Sequence, residues 1–240
     1  MNVSSYIEHR PAGLERWAEC VWERSAGARP DVARVIPDGC MDVVFSEARG
    51  LTVVGPNTTA FLAGVPARSS ALGVRMHPGC GPPLFGVEAE SLRDGATQAA
   101  ELWGDAGRRL EDLVYQAARP GARRALILRW LGTRTPGRAP DPIVRAIVHR
   151  LASRAEASLP ALGGELGIGE RQLRRRVVSQ VGYGPKRLAR VLRLRRALAD
   201  ARAGIGLAEA AFVAGYADQS HFTHDCTELA GLPPSALVRS

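Results

Sequence analysis

The sequence predicts an α+β chain. A β-rich N-terminal domain with flanking helices precedes an all-α C-terminal domain, in which a long helix joins two helix-turn-helix motifs. Three observations carry this. Short β-prone runs punctuated by Gly and Pro fill residues 31–80. From residue 141 onward, apolar residues recur at helical spacing. In that same part the pattern helix, glycine turn, capped helix occurs twice, about 50 residues apart.

Taken in order, residues 13–23 predict a helix, because Leu14, Trp17, Ala18, Val21 and Trp22 fall at helical spacing. Val32, Val35 and Ile36 then lead into Met41-Asp42-Val43-Val44-Phe45, and Leu51-Thr52-Val53-Val54 and Leu72-Gly73-Val74-Arg75-Met76 follow. These runs predict a small sheet or barrel. Leu102–Ala118 carries Leu110, Leu113, Val114 and Ala117 at helical spacing, and Arg123–Leu131 follows after Pro120-Gly121. Both predict helices that would pack on the core or against a second copy. Gly132 to Pro140 collects breakers and prolines, the composition of an exposed linker. The expected domains are therefore 1–132 and 141–240, with a linker over 133–140.

The C-terminal part divides regularly. Ile143–Ser153 is a helix with Ile143, Ile147, Val148 and Leu151 on its apolar face. Ser158 is placed to cap Leu159–Leu166, Gly167-Ile168-Gly169 makes a turn, and Glu170–Val181 is the second helix of the first motif, ended by Gly182. Pro185 starts a long helix to about Arg202. Leu207–Ala214 is a short helix with Gly215 just past its end, and Asp218 caps the helix that follows.

Charge sharpens the contrast between the halves. The chain carries a net +8; residues 138–240 hold 16 Lys+Arg against 9 Asp+Glu, and residues 1–137 hold 16 against 15. A basic half joined to a near-neutral one fits a polyanion binder joined to a sensing or assembly domain. Lys186 is the only lysine. No apolar run approaches a membrane span, and the N-terminus lacks a signal-peptide core, so a cytoplasmic protein with no membrane partner is expected. The four cysteines, Cys20, Cys40, Cys80 and Cys226, form no CxxC pair, so reduced thiols are the default.

Two helices carry the side chains suited to base edges. On the first, Arg171, Arg174 and Arg175 lie at i, i+3 and i+4 and share a face, while Leu173 and Val177 face the core. Arginine pairs bidentately with guanine O6 and N7. Arg176 points elsewhere, toward phosphate or solvent. On the second, Gln219, Ser220 and His224 are placed for reading, with Gln219 suited to adenine. Lys186 and Arg187, opening the long helix, complete the DNA-binding set. His221, His224 and Cys226 are metal-ligand types, but no metal site is expected there.

Gly215-Tyr216-Ala217-Asp218-Gln219-Ser220-His221-Phe222, followed by Gly231-Leu232-Pro233-Pro234, closely resembles the second helix-turn-helix of the AraC/XylS family of bacterial transcription regulators. The resemblance covers roughly residues 141–240. It implies that the long helix sets the separation of the motifs, so that they enter successive major grooves about 34 Å apart. It also implies that Arg171, Arg174 and Arg175, and Gln219, Ser220 and His224, occupy the family's base-contacting positions. His221 falls in the family-like Ser-His-Phe and serves the fold or a backbone phosphate. The chain departs from the pattern at Cys226, where the family has an aromatic residue followed by basic ones; here Asp225, Thr227 and Glu228 surround it. The first motif is therefore expected to supply most of the affinity. The segments Pro37–Asp42, Gly73–Gly79 and Leu102–Gly104 resemble an N-terminal domain found on some regulators of this type.

In the N-terminal half, Cys40 and Cys80 end glycine turns and His77 is close to Cys80. Cys40, His77, Cys80 and Trp103 are the candidate effector-binding residues, and Trp17, Trp22, Phe45, Phe61 and Phe85 line either a pocket or the core. No nucleophile elbow, phosphate loop or HExxH is present, and no catalytic residue, cofactor or metal is assigned. The resulting expectation is a regulator that binds double-stranded promoter DNA and meets RNA polymerase. A small-molecule effector or a second copy would control it. The alternative is a cysteine-based sensor of thiol oxidants, metals or DNA alkylation.

Overall fold

The computed structural model describes residues 4–153 and 163–239. Its N-terminal half is built on eight strands: β1 (Ser5–His9), β2 (Ala18–Ser25), β3 (Asp31–Val35), β4 (Asp42–Ser46), β5 (Gly50–Val54), β6 (Phe61–Val65), β7 (Ser70–Met76) and β8 (Ala96–Gln98). Six form an antiparallel sheet in the order β1-β2-β7-β4-β5-β8, and β3 and β6 pair as a separate ribbon. Alternation decides which face is buried. Val43 pairs with Val53 and Val74, and Phe45 with Leu51 and Leu72, so all six share one face. That face packs on Leu110 and Val114 of α3 (Asp105–Gln116) and Ile127 and Leu131 of α4 (Pro120–Thr133). The shorter helices α1 (Gly81–Phe85) and α2 (Ala99–Trp103) complete this layer.

The helix expected over residues 13–23 is not formed: Ala18–Ser25 is strand β2. The register between β2 and β7 shifts at Ala18/Cys20, so Ala18, Cys20 and Val21 are all buried. A bulge of this kind breaks strict alternation and reproduces helical spacing in a strand. The helix expected over Leu102–Ala118 is two helices, α2 and α3, hinged at Gly104, whose φ of 57° and ψ of −135° suit glycine. Pro120 does not precede α4 but opens it, as the first residue of the helix. Between Thr133 and Asp141 the chain is tethered. Arg134 donates to the Leu84 carbonyl at 2.6 Å and lies over the Trp130 ring, and Arg138 donates to the Pro83 carbonyl at 2.8 Å.

The C-terminal half is all helix: α5 (Pro142–Ala152), α6 (Glu170–Val181), α7 (Pro185–Arg202), α8 (Leu207–Val213), α9 (Gln219–Asp225) and α10 (Pro234–Arg239). Asp141 caps α5, accepting from the Ile143 and Val144 amides. The proposed Ser158 cap, and most of the helix it would open, lie outside the described residues. A second core collects Val144, Ile147 and Leu151 of α5, Leu173 and Val177 of α6, Leu188 and Leu192 of α7, and Phe222, Cys226, Leu229 and Leu237. α9 runs on through a wider π-turn, Cys226–Ala230, closed by Gly231.

The sheet has one tight approach. Trp22 of β2 pairs with Gly73 of β7, and a Cβ at Gly73 would stand 2.4 Å from the Trp22 ring. The ring is held in place by its Nε1, which donates to Asp42 Oδ2 at 2.8 Å. Gly73→Ala should therefore cost on the order of 1–3 kcal/mol through overpacking, read as a lower denaturant midpoint. Asp42 itself is pushed up to about 6, chiefly by burial, against the pull of Arg75. The proton it holds in the native state stabilises the fold fully below the ordinary carboxylate range, and that contribution is lost as pH rises through about 6. Unfolding free energies of the native sequence and Asp42→Asn, compared between pH 4 and 7.5, should shift in favour of the variant as pH rises.

Candidate DNA interface

The first motif is assembled from its turn outward. Gly167 has φ +65° and Gly169, extended, stands at the N-terminus of α6. One face of α6 is core: Leu173, Val177 and Val181 are buried. On the other face of its first half, Arg171, Gln172, Arg174 and Arg175 are exposed. Arg171, Arg174 and Arg175 have no hydrogen-bond or ion-pair partner among the described residues. The second half of the helix is covered by the N-terminal domain. Ser179 Oγ donates to Glu88 Oε1 at 3.1 Å, and Pro56 packs where a side chain on Gly182 would lie.

The second motif is built the same way with weaker charge. Gly215 makes the turn after α8 at φ +87°, a conformation that excludes most side chains. Asp218 Oδ1 accepts from the His221 amide at 2.7 Å and so caps α9. Gln219, Ser220 and His224 are exposed on this helix, and His224 Nε2 lies 3.5 Å from Glu228. His221 packs edge-on against the Tyr216 ring, 5.2 Å between centroids, which is a fold contact. Cys226 is fully buried in the second core.

Two residues of the expected DNA-binding set are placed differently. Arg176 Nη1 donates to Asp141 Oδ2 at 2.8 Å, bound to the cap of α5 rather than free for phosphate. Arg187 donates to the Thr58 carbonyl at 2.7 Å, inside the contact with the N-terminal domain. Both turned inward because an acceptor lies within reach, which charge along a sequence does not reveal. Lys186 beside it is exposed. Further along α7, Arg190, Arg193, Arg195, Arg196 and Arg202 also donate to groups inside the protein. The helix that looks most basic is therefore largely an internal scaffold.

The candidate effector side chains each have partners within the fold. Trp103 Nε1 donates to the Phe85 carbonyl at 2.9 Å, and its ring lies tilted against Trp130, 4.3 Å between centroids. His77 Nε2 meets the Glu15 carbonyl at 3.2 Å. Cys40 Sγ lies 3.6 Å from Glu19 Oε2 and Cys80 belongs to the sheet core. Among the described residues, no three His, Cys, Asp or Glu side chains are grouped to hold a metal ion. A cavity of about 180 Å³ between the sheet and α4 is lined by Ile7, Phe45, Leu72 and Arg123, and by none of these four residues. Of the aromatics, Trp17, Phe45 and Phe85 are core, while Phe61 is exposed on the ribbon.

All four cysteines are free and buried. Burial raises every thiol: Cys20 and Cys226 to about 12, Cys80 to about 11 and Cys40 well above its ordinary value. A thiol held protonated is a poor nucleophile and a poor metal ligand, which weighs against cysteine-based sensing. In the native protein at pH 7.5, an aromatic disulfide reagent should titrate fewer than one thiol per chain over minutes. All four should react in guanidinium chloride. Rapid native reaction at Cys40 or Cys80 would restore the sensor alternative.

Residues 162–240 match the family model described as a helix-turn-helix domain, and residues 8–98 match a domain of unknown function, DUF6597. No curated protein matches the sequence. Among solved structures, the chain is similar to the C-terminal domain of AraT, a response regulator from Geobacillus stearothermophilus. The identity is 20%, with 41% of this chain and 85% of that one covered and a TM-score of 0.38. It is also similar to ToxT from Vibrio cholerae, at 9% identity, 98% of each chain and a TM-score of 0.47. Unsaturated fatty acid-bound ToxT gives 11% identity, 99% of this chain and 95% of that one, and a TM-score of 0.45. No described helix is long and apolar enough to cross a membrane. The C-terminal region of this chain matches a helix-turn-helix domain, carried behind an N-terminal β-rich region that matches DUF6597.

Proposed function

We propose that the protein is a sequence-specific, double-stranded-DNA-binding transcription regulator in which the first motif is the principal base reader. The observation that carries this is the exposed trio Arg171, Arg174 and Arg175, without a partner among the described residues, on the half of α6 that the N-terminal domain leaves open. Three guanidiniums on one helix face suit guanine-rich major-groove edges. Gln219, Ser220 and His224 add a second, less charged reading surface. Lys186 is the remaining exposed cation of the expected set. The N-terminal domain acts as the control element, through a small-molecule effector or self-association. Two facts support that role. It touches both motifs, through Ser179 and Gly182 on one side and Leu229 and Ala230 on the other. It also leaves Leu113 and Tyr115 exposed on α3 for a second copy. Contact with RNA polymerase at a promoter belongs to this reading too, and no step of it requires catalysis.

The test is selection of random duplex DNA by the purified full chain at near-physiological salt. Enrichment of two boxes about one helical turn apart is expected, with guanines in the first. Arg174→Ala or Arg175→Ala should weaken binding to the first box by about 1–3 kcal/mol and relax its sequence. Arg176→Ala should leave base preference unchanged. Equal binding to selected and random duplexes across salt concentrations would sink the proposal.

A further inference from the structure

The second motif contains one buried carboxylate that the reading of DNA leaves without a role. Asp225, the last residue of α9, is 1% exposed in the side chain. Arg190 Nη2 and Nε donate to its Oδ1 at 2.7 and 3.1 Å. Arg193 Nη2 and the Tyr216 hydroxyl donate to its Oδ2 at 3.4 and 3.1 Å. Glu228, one turn on, takes Arg190 as well. Arginines at i, i+3 on α7 face acids at i, i+3 on α9 and its continuation: Arg190 takes both Asp225 and Glu228, and Arg193 takes Asp225.

Arg193 does more than pair. Its guanidinium lies 4.4 Å over the Tyr216 ring, and its Nη1 reaches the carbonyl of Gly215, the turn residue, at 3.5 Å. The cluster therefore joins the three parts whose relative angle decides where α9 points: linker helix, turn and recognition helix. A buried carboxylate bonded by three donor side chains tolerates little displacement, because moving it leaves a desolvated charge unpaired. The same pairing keeps two guanidiniums of a DNA-binding domain away from phosphate.

We propose that Asp225 is a positioning residue for the second motif: by pairing with Arg190 and Arg193 it fixes the angle of α9 against α7, and with it the motif's ability to read bases. This rests on the regulator reading above. The test uses the full chain and the selected duplex, with the first or the second box scrambled in turn. In the native protein, scrambling either box should weaken binding. Asp225→Asn keeps the shape and the Tyr216 contact but removes the charge. It should retain the penalty for scrambling the first box and lose most of the penalty for the second, falling to within about twofold. Its plot of log affinity against log salt should steepen by about one unit, because Arg193 becomes free to meet a phosphate. A role in stability alone would not add a phosphate contact. Asp225→Glu, which restores the charge, should recover part of the second-box penalty.

An Asp225→Asn protein that still discriminates the second box as the native one does overturns the proposal, as does one that loses both boxes together. A native protein indifferent to the second box alone also overturns it, while leaving the first-motif reading standing. Indifference to both boxes overturns the regulator reading itself.

Discussion

The arrangement of this protein depends on the guanidiniums of one helix finding acceptors. Arg187, Arg190, Arg193 and Arg196 follow one another at every third residue of α7. With 3.6 residues per turn, such a series winds around the axis, so each side chain meets a different neighbour. Arg187 reaches Thr58 in the N-terminal domain and Arg190 the end of the second recognition helix. Arg193 reaches the second turn, and Arg196 both that turn at Ala214 and the end of α5 at Leu151. Arg195, on the remaining side, donates to Glu19 at 2.6 Å and to the Asp38 carbonyl at 3.4 Å. One helix thus ties four separate pieces through charge-assisted bonds, each of which is stronger than a neutral one.

This use of arginine changes what a charge count means. The excess of positive over negative residues in the C-terminal half overstates the field that a duplex meets, because α7 arginines are neutralised or solvated internally. What remains outward is concentrated on the first half of α6. Two acids at the end of α9 and its continuation meet α7 arginines: buried Asp225 binds Arg190 and Arg193, and exposed Glu228 binds Arg190. The two candidate reading surfaces differ in charge: α6 presents Arg171, Arg174 and Arg175, whereas α9 presents Gln219, Ser220 and His224.

The helices of the C-terminal domain were legible in the sequence because their ends carry residues with a local mechanism. Gly182 and Gly215 end helices in left-handed backbone, Asp218 caps by accepting an amide, and Pro185 opens α7; these act within a few residues and need no tertiary context. Strand β2 was misread for the opposite reason: its bulge is imposed by pairing with β7, more than 45 residues away in the chain. Strands β1, β6 and β8 carry too little alternation to stand out from loops. At the candidate DNA interface, the shared face of Arg171, Arg174 and Arg175 on α6 follows from helical spacing alone. Arg176 and Arg187 did not, since their acceptors, Asp141 and the Thr58 carbonyl, come from other elements. The acidic tail of α9 read as a weakness in binding, whereas its buried member is part of the scaffold.

The joint between the ribbon and the second motif includes a main-chain bond: the Ala60 amide donates to the Leu229 carbonyl at 2.7 Å. Neither atom belongs to a side chain, so ordinary substitutions at positions 60 and 229 leave donor and acceptor in place. Only a proline at position 60 would delete the donor outright. A joint made this way is robust to substitution. Side chains on the outer surface of the N-terminal domain can then change while this main-chain seam with the helices keeps its donor and acceptor.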